Sequence, residues 1–302
     1  MALLELRNVS KGFGKGGSRT EILLDVNLSI AEGECVAIIG FSGTGKTTLI
    51  SMLAGLKTPD SGQVLMKGKS IRHPGPDRGV VSKKDTLVPW LSVFENMQFA
   101  IQQVTPNLGQ AELYGHTRKY ISLFKLGQAA NKRPSELSAG IRQRASIAKT
   151  IATQPEILLM DEPFAGLDSL TRVNLRTEIA NIFVSDRRSL VLTTDSVEEA
   201  ILMADRVIPL LPGTGKGATL GESITVDIVR PRSKEMPAYH DGVRLLEKTI
   251  VAALRRARTS VQKDDPQKED PQKEDPQKDD PQKDDPQKDD HCTNTYSLCD
   301  DS

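Results

Sequence analysis

A glycine-rich octapeptide contains the first residues in the chain whose types and spacing suit a chemical role. It reads Gly40-Phe-Ser-Gly-Thr-Gly-Lys46-Thr47, the pattern of a phosphate-binding loop. Glycines let backbone N–H groups close around phosphate oxygens, and a following helix adds the positive potential of its N-terminus. We therefore predict that Lys46 reaches the β- and γ-phosphates of ATP and that the Thr47 hydroxyl binds Mg²⁺. The predicted ATP-binding residues in this segment are Gly40, Phe41, Ser42, Gly43, Thr44, Gly45, Lys46, Thr47 and Thr48.

Two adjacent carboxylates, Asp161 and Glu162, follow the apolar run Ile157–Met160. A buried parallel strand would place both at the carboxyl end of the sheet, where α/β proteins bind their ligands. There Asp161 is expected to hold Mg²⁺ through water, and Glu162 to polarise the water that attacks the γ-phosphate. The alternative is a solvated turn without a catalytic role. The phosphate-loop pattern earlier in the chain favours the catalytic interpretation.

The elements that must position these residues follow from hydrophobic periodicity. Residues 3–30 alternate apolar and polar in two stretches, which predicts two antiparallel strands. The apolar run Val36–Ile39 predicts a buried parallel strand, and a helix is predicted from Thr47 to Leu56. Residues 91–153 are predicted to be mainly helical, and a last helix is predicted from 245 to 258. Between them strands and helices alternate, as an α/β protein with a parallel central sheet requires: Ile157–Met160, Leu170–Val184, Ser189–Thr193, Val197–Met203 and Arg206–Leu211.

Composition indicates a folded body followed by a tail of another kind. The 302 residues are 37% hydrophobic, and residues 262–302 hold 6 Lys and 14 acidic residues, so the zero net charge conceals an acidic tail and a basic body. From Pro266 to Asp290 a pentapeptide, Pro-Gln-Lys-(Asp/Glu)-Asp, runs five times without an apolar residue, so we expect disorder there. A tolerated repeat expansion and a spacer or interaction tail are the two interpretations of this stretch.

The N-terminal sequence and the lengths of the apolar runs indicate the cellular location of the chain. The first residues are too charged and too short for a signal peptide, and no run approaches the roughly 18 apolar residues of a membrane span. We expect a cytoplasmic chain whose membrane role requires a partner.

A third motif points to the class of nucleotide-binding protein. Leu137-Ser138-Ala139-Gly140, followed by a basic helix start, resembles the Leu-Ser-Gly-Gly signature of ABC ATPases. Phe164-Ala-Gly-Leu-Asp168, after the Asp-Glu strand, is similar to the D-loop of that family. The order and spacing of the motifs extend the resemblance over residues 3–258. It implies an ABC-type P-loop ATPase domain with a parallel core sheet and an antiparallel β subdomain.

The resemblance also implies domain boundaries and the assembly of the site. The ATPase domain is expected at 1–258, with a helical subdomain at about 91–153, and the disordered acidic tail at 259–302. In this family two ATPase domains meet head to tail, so Ser138 and Gly140 would contact the γ-phosphate held by the partner domain. Phe13 stands where the family places an aromatic ring against adenine; stacking on the base and plain core packing are both open for it.

Three positions depart from the family pattern. Lys83 stands where the family has a glutamine that helps to bind Mg²⁺; an ammonium group cannot bind a cation but can meet a phosphate oxygen. Thr194 stands in the place of the switch histidine, and threonine reaches less far and carries no charge. Ala139 replaces a signature glycine, and its methyl group is expected to crowd the γ-phosphate. Glu162, Thr194 and Lys83 are thus the predicted catalytic positions, and turnover is expected to be low.

Residues 74–96 indicate a type of transporter. Pro89-Trp90-Leu91 resembles the segment by which nitrate-, sulfonate- and bicarbonate-type importers meet their membrane subunit, and residues 208–232 look most like the nitrate branch. Trp90 is the only tryptophan and suits a docking surface; a buried core position is the alternative.

The resemblance implies a Mg-ATP-hydrolysing subunit, peripheral at the cytoplasmic face of the plasma membrane, that energises import of nitrate or a related oxyanion. Two alternatives are a low-turnover nucleotide-binding subunit of a heterodimer and an importer of sulfonate, taurine, bicarbonate or cyanate. The expected partners are a second ATPase subunit, permease subunits that contact the region around Trp90 and, indirectly, an extracytoplasmic solute-binding protein. No nucleic-acid partner is expected.

Overall fold

The structure is a computed structural model that describes residues 2–14, 19–186, 188–213, 217–229, 232 and 237–264. The chain divides into two units, Met1–Pro266 and Gln267–Ser302. The pentapeptide repeat, with the disorder predicted for it, lies outside the described residues. In chain order the elements are β1 (Ala2–Phe13), β2 (Thr20–Ala31), β3 (Cys35–Ile39), α1 (Lys46–Leu53), β4 (Ser61–Met66), β5 (Lys69–Ser70), β6 (Arg78–Val81), α2 (Val93–Val104), α3 (Gln110–Leu123), α4 (Ala139–Ala152), β7 (Ile157–Asp161), α5 (Ser169–Asp186), β8 (Ser189–Thr194), α6 (Val197–Met203), β9 (Arg206–Leu211), β10 (Thr219–Leu220), β11 (Ile224–Thr225) and α7 (Pro237–Asp264).

An antiparallel sheet with strand order β2-β1-β4-β5 is formed by the N-terminal part of the chain. β1 pairs with β2 on one side, with Leu6 opposite Leu28, and with β4 on the other, with Leu6 opposite Val64. Alternate residues of these strands point to opposite faces, and the apolar set is buried. The two antiparallel strands predicted for residues 3–30 are therefore confirmed.

The central sheet has the order β10-β9-β3-β8-β7-β6, with β11 also paired to β9. Strands β9, β3, β8, β7 and β6 run parallel, whereas the short β10 and β11 are antiparallel to β9. Every residue of β3, β7 and β8 is buried, which is why the apolar residues of these strands are consecutive instead of alternating with polar ones. The parallel α/β core is confirmed; β6, only four residues long, was not predicted.

Opposite faces of the central sheet pack against different helices. Ile38 belongs to the hydrophobic cluster that includes Leu49 and Ile50 of α1. Its neighbour Ile39 packs with Ala200 and Ile201 of α6. Because register places Ile38 opposite Thr193 and Ile39 opposite Thr194, these two threonines also point to different faces.

The helices α2, α3 and α4 lie within the region predicted to be helical, 91–153. α2 begins at a capping box, in which Ser92 accepts from the Glu95 N–H and Glu95 accepts from the Ser92 N–H. α7 contains the helix predicted from 245 to 258 and is longer at both ends. Its Ile250 and Leu254 are buried against α6 and the β9 side of the sheet. Within the described part of the chain, no helix combines the length and apolar character needed to cross a membrane.

Candidate nucleotide-binding site

The phosphate loop connects β3 to α1 in a backbone shape that requires glycine. Gly43 and Gly45 have φ of +83° and +98°, a region that other residues enter only with strain. A Cβ on Gly40 would lie 2.8 Å from Thr44 Oγ1 and 3.0 Å from the Leu210 carbonyl oxygen. Gly45 is the N-cap of α1, so the loop leads directly into a helix N-terminus, the arrangement that binds phosphate.

Lys46 is held inside this loop. It is 4% exposed, and its ammonium group donates to the carbonyls of Gly40 at 2.8 Å and Phe41 at 3.0 Å. The same nitrogen lies 3.1 Å from Glu162 Oε1. The phosphate loop and the Asp-Glu pair, separated by more than a hundred residues in sequence, therefore meet at the ammonium group of Lys46.

Asp161 and Glu162 stand at the carboxyl end of β7. Asp161 is buried and accepts a hydrogen bond of 2.8 Å from Thr193 Oγ1 on the neighbouring strand. Glu162 leaves the strand with φ of +46°, and its N–H donates to the Thr193 carbonyl. A left-handed glutamate costs roughly 1–3 kcal/mol, and such strain is concentrated at functional sites.

Lys83 joins the same cluster from the loop between β6 and α2. Its ammonium nitrogen lies 3.5 Å from Glu162 Oε2, so the two oxygens of one carboxylate face two different lysines. The residues predicted from three separate motifs, Lys46, Glu162 and Lys83, are thus brought together by the fold.

Oxygen donors suited to Mg²⁺ lie at this edge of the sheet. Asp161 offers a carboxylate at the end of β7, and Thr47 lies exposed on the first turn of α1. Carboxylate and hydroxyl oxygens are the hard donors that Mg²⁺ prefers, usually together with water and substrate phosphate. This donor set fits the predicted metal; when bound, Mg²⁺ would neutralise charge on the phosphate oxygens.

Thr194 does not lie where the sequence motif predicts it. Its side chain is 1% exposed, and its hydroxyl donates to Glu199 Oε2 at 2.6 Å on the α6 face of the sheet. The α1 face, which carries the phosphate loop, is reached by Thr193 instead. Burial raises the pKa of the Glu199 carboxyl against the opposing effects of the Thr194 hydrogen bond and of Arg176 and Arg172.

The residue that sequence reasoning missed is Asp195. It is exposed immediately after β8, next to the point where the Gly40 N–H donates to the Thr194 carbonyl. Asp195 is therefore the side chain that follows β8 beside the phosphate loop. The signal was present in the sequence, because a hydrophilic residue directly after a fully buried strand marks the carboxyl edge of the sheet.

The signature residues form the start of α4. Ser138 is the N-cap and accepts from the Ile141 N–H at 3.4 Å. A Cβ on Gly140 would lie 2.4 Å from Thr171 Cγ2 at the start of α5, so a larger residue here would displace the Thr171 side chain. Ser138 and Ala139 are exposed.

Phe13 lies at the surface end of β1 and is 39% exposed, so its ring does not belong to the core. The Lys57 ammonium group lies 4.4 Å from the ring centroid, a cation–π distance. Asp60 fixes this end of the strand by accepting from the Gly12 N–H at 2.9 Å and from Lys11 at 2.7 Å. The Gly12 N–H, followed by Lys11, lowers the pKa of Asp60 to about 2.

Trp90 is 71% exposed, which excludes the core alternative. Its loop is nevertheless well fixed, because the fully buried Asn96 accepts from the Val88 N–H at 2.7 Å and donates to the carbonyls of Val88, Leu91 and Ser92. The structure therefore presents a large aromatic ring to solvent on a rigid loop.

Comparison with known proteins places these motifs in a family. The ABC transporter family model matches residues 23–165. Bicarbonate transport ATP-binding protein CmpC of Synechococcus elongatus is 39% identical over 254 residues, which cover 84% of this chain and 38% of that protein. CmpD of the same organism, also a bicarbonate transport ATP-binding protein, is 36% identical over 242 residues, 79% of this chain and 86% of CmpD. Nitrate import ATP-binding protein NrtD of S. elongatus is 39% identical over 211 residues, 70% and 76% of the two chains.

A solved structure agrees with this relationship. The ATP-binding cassette MJ0796, in a dimeric post-hydrolysis state bound to ADP and Pi, has a TM-score of 0.65 and 27% identity; it covers 75% of this chain and 100% of that one. The chain spans little more than a third of CmpC but most of CmpD. With 36% identity to a relative of which it covers 86%, the chain belongs to the family of ABC transporter ATP-binding proteins.

Proposed function

We propose that this protein binds and hydrolyses Mg-ATP and that it energises an importer of nitrate or a related oxyanion. The observation that carries the proposal is the 3.1 Å contact between Lys46 and Glu162. It joins the group expected to bind phosphate to the group expected to activate water. Hydrolysis requires both at one place.

Each side chain of the site has a role in ATP hydrolysis that follows from its charge and position. Lys46, at the helix N-terminus, supplies positive charge to the β- and γ-phosphates of bound ATP. Glu162 accepts a proton from the attacking water, and its strained backbone aims the carboxylate out of β7. Lys83, 3.5 Å from the second oxygen of Glu162, steadies that carboxylate and offers a further cation to the phosphate oxygens. Thr47 and Asp161 would hold Mg²⁺.

A second ATPase domain is part of the proposal. Ser138 and Ala139 are exposed at the start of α4, as a signature that contacts ATP on another subunit requires. CmpC and CmpD are named as separate ATP-binding proteins in one organism, which favours a heterodimer. The pairing can be tested with the Glu162→Gln variant of this chain and the ATP-binding protein encoded next to it in the genome. The two are mixed in the presence of ATP, and the molar mass of the complex is measured by light scattering.

The membrane partner is proposed to contact the loop around Trp90. Tryptophan is enriched among the few residues that contribute most of the binding energy in protein interfaces, and Trp90 is exposed. The relatives are named for bicarbonate transport and nitrate import, which supports an oxyanion as the solute. We place the chain at the cytoplasmic face of the plasma membrane through this contact.

A low-turnover subunit is the second candidate function. The contact between Lys83 and Glu162 favours it, because an ion pair withholds a carboxylate from its role as base. Steady-state ATPase activity of the wild-type chain and of Glu162→Gln, each assembled with the permease, separates the two candidates. Turnover that depends on Glu162 supports hydrolysis, whereas equal background rates support the silent subunit. Uptake of labelled nitrate and of labelled bicarbonate by cells with and without the gene identifies the solute.

A further inference from the structure

Gln143 on α4 occupies an unusual place between two loops. It is 4% exposed, and its side-chain nitrogen donates to the Pro163 carbonyl at 2.7 Å and to the Ser82 carbonyl at 3.2 Å. Both partners are carbonyl oxygens, which only accept, so the amide NH₂ group must face them. One buried side chain thus joins two separate stretches of backbone.

The two carbonyls belong to residues adjacent to the catalytic cluster. Pro163 directly follows Glu162, and Ser82 directly precedes Lys83. The side chains of Glu162 and Lys83 are the ones that approach each other to 3.5 Å. Gln143 therefore holds the backbone on both sides of the Lys83–Glu162 contact without touching either charged group.

The rest of the Lys83 loop lies along the same helix. One and two turns after Gln143, Ser146 Oγ accepts from the Thr86 N–H at 3.3 Å, and Lys149 donates to the Thr86 carbonyl at 2.5 Å. Each of these residues lies three positions after the previous one, so successive members are neighbours on the helix surface. Burial lowers the pKa of Lys149. The loop that begins at Ser82 is therefore hydrogen-bonded to α4 at both Ser82 and Thr86.

We propose that Gln143 is a positioning residue for ATP hydrolysis, which sets the separation of Glu162 and Lys83 and ties both to the signature helix. The proposal rests on the proposed function. It gives α4 a second role, because the helix not only presents Ser138 at its start but also transmits its position to the catalytic carboxylate through the Pro163 carbonyl. The chain runs on from the Lys83 loop to Trp90, whose loop is held by the hydrogen bonds of Asn96.

The variant Gln143→Leu tests the proposal, because leucine keeps most of the volume and removes both donors. We expect kcat for ATP hydrolysis to fall about tenfold or more while KM for ATP changes by less than about twofold, since no group that contacts nucleotide is altered. Thr150→Val is the matched control: it removes a buried hydroxyl from the same helix, where Thr150 bonds to the Ser146 carbonyl, and should leave kcat within about twofold. Gln143→Asn keeps the amide group on a shorter side chain and replaces the leucine variant if that variant does not fold. Its kcat should lie between those of Gln143→Leu and Thr150→Val.

Trp90, the only tryptophan, supplies an independent measurement. In a Glu162→Gln background, Mg-ATP should change Trp90 fluorescence, and adding Gln143→Leu should abolish that change while ATP binding, measured by equilibrium dialysis, persists. If Gln143→Leu behaves like Thr150→Val in kcat and keeps the fluorescence response, the proposal is overturned. If wild-type turnover does not depend on Glu162, the proposed function fails instead, and the fluorescence measurement still decides whether Gln143 ties the loops.

Discussion

The ammonium nitrogen of Lys46 lies 3.1 Å from a carboxylate oxygen of Glu162. Together with the Gly40 and Phe41 carbonyls, this contact engages all three hydrogens of the ammonium group. A phosphate that enters the loop must exchange with at least one of these acceptors. Binding of ATP is therefore linked to the loss of at least one of the three contacts of Lys46.

Replacement of Lys46 by alanine should weaken ATP binding by about tenfold or more. The change removes a charge-assisted hydrogen bond worth roughly 1.5–3 kcal/mol. Isothermal titration of Mg-ATP into both proteins measures the effect. Lys67→Ala is the control, since Lys67 forms an exposed pair with Glu156 on the surface. Equal affinities for wild type and Lys46→Ala would remove the phosphate-loop interpretation.

Glu162→Gln should separate binding from catalysis. The amide keeps the shape but cannot accept a proton, so we expect kcat to fall by about 10²–10³-fold. Affinity for ATP should stay the same or increase, because a negative charge next to Lys46 and the phosphates is removed. Single-turnover hydrolysis measures the rate of the chemical step, and nucleotide titration measures the affinity for ATP. A variant that hydrolyses ATP at the wild-type rate would show that another group activates the water.

The strands that position the phosphate loop and the Asp161–Glu162 pair could be predicted from the sequence, because each is a run of consecutive apolar residues. The buried strand before the phosphate loop and the one before Asp161 are continuous apolar runs, and parallel strands bring their carboxyl ends to one edge. What was not predictable depends on a single-residue register. Thr194 and Asp195 differ by one position, and the alternation of a strand decides which of them faces α6. Gln143 lies three residues after Gly140 of the signature motif, but its two partners come from loops distant in sequence.

The tail should be dispensable for nucleotide binding and stability. Its five repeats contain no apolar residue, so they cannot bury a hydrophobic surface. Truncation after Asp264 should leave the melting temperature and the ATP affinity unchanged. Truncation before α7 is the contrasting variant and should lower the melting temperature by several degrees, because Ile250 and Leu254 are buried there. A clear loss of stability in the first variant would contradict this.

Asp60 should make stability depend on pH. Its pKa in the folded chain is about 2, below the ordinary 3.8, so its contribution is complete above pH 3.8 and disappears as pH falls through about 2. Because the side chain is partly exposed, we expect Asp60→Asn to cost only about 1 kcal/mol at pH 7, and progressively less as pH falls from 3.8 towards about 2. Urea unfolding at several pH values, with Glu32→Gln as an exposed control, measures this. A cost that does not change with pH would mean that the ionised form of the Asp60 carboxyl is not its source.

Asp195, and not Thr194, should be the position at which a histidine raises turnover. An imidazole at the exposed Asp195 replaces a negative charge beside the phosphate loop with a group that can donate to the γ-phosphate. An imidazole at Thr194 must enter a fully buried site and break the 2.6 Å bond to Glu199; overpacking costs about 1–3 kcal/mol and the lost bond about 1 more. We therefore expect Asp195→His, combined with Lys83→Gln, to raise kcat at saturating Mg-ATP with little change in melting temperature, whereas Thr194→His lowers the melting temperature and does not raise kcat. Steady-state assays and thermal melts of the wild-type chain and of these two variants test this. A gain in kcat from Thr194→His at full stability would show that the threonine side chain reaches the phosphates after all.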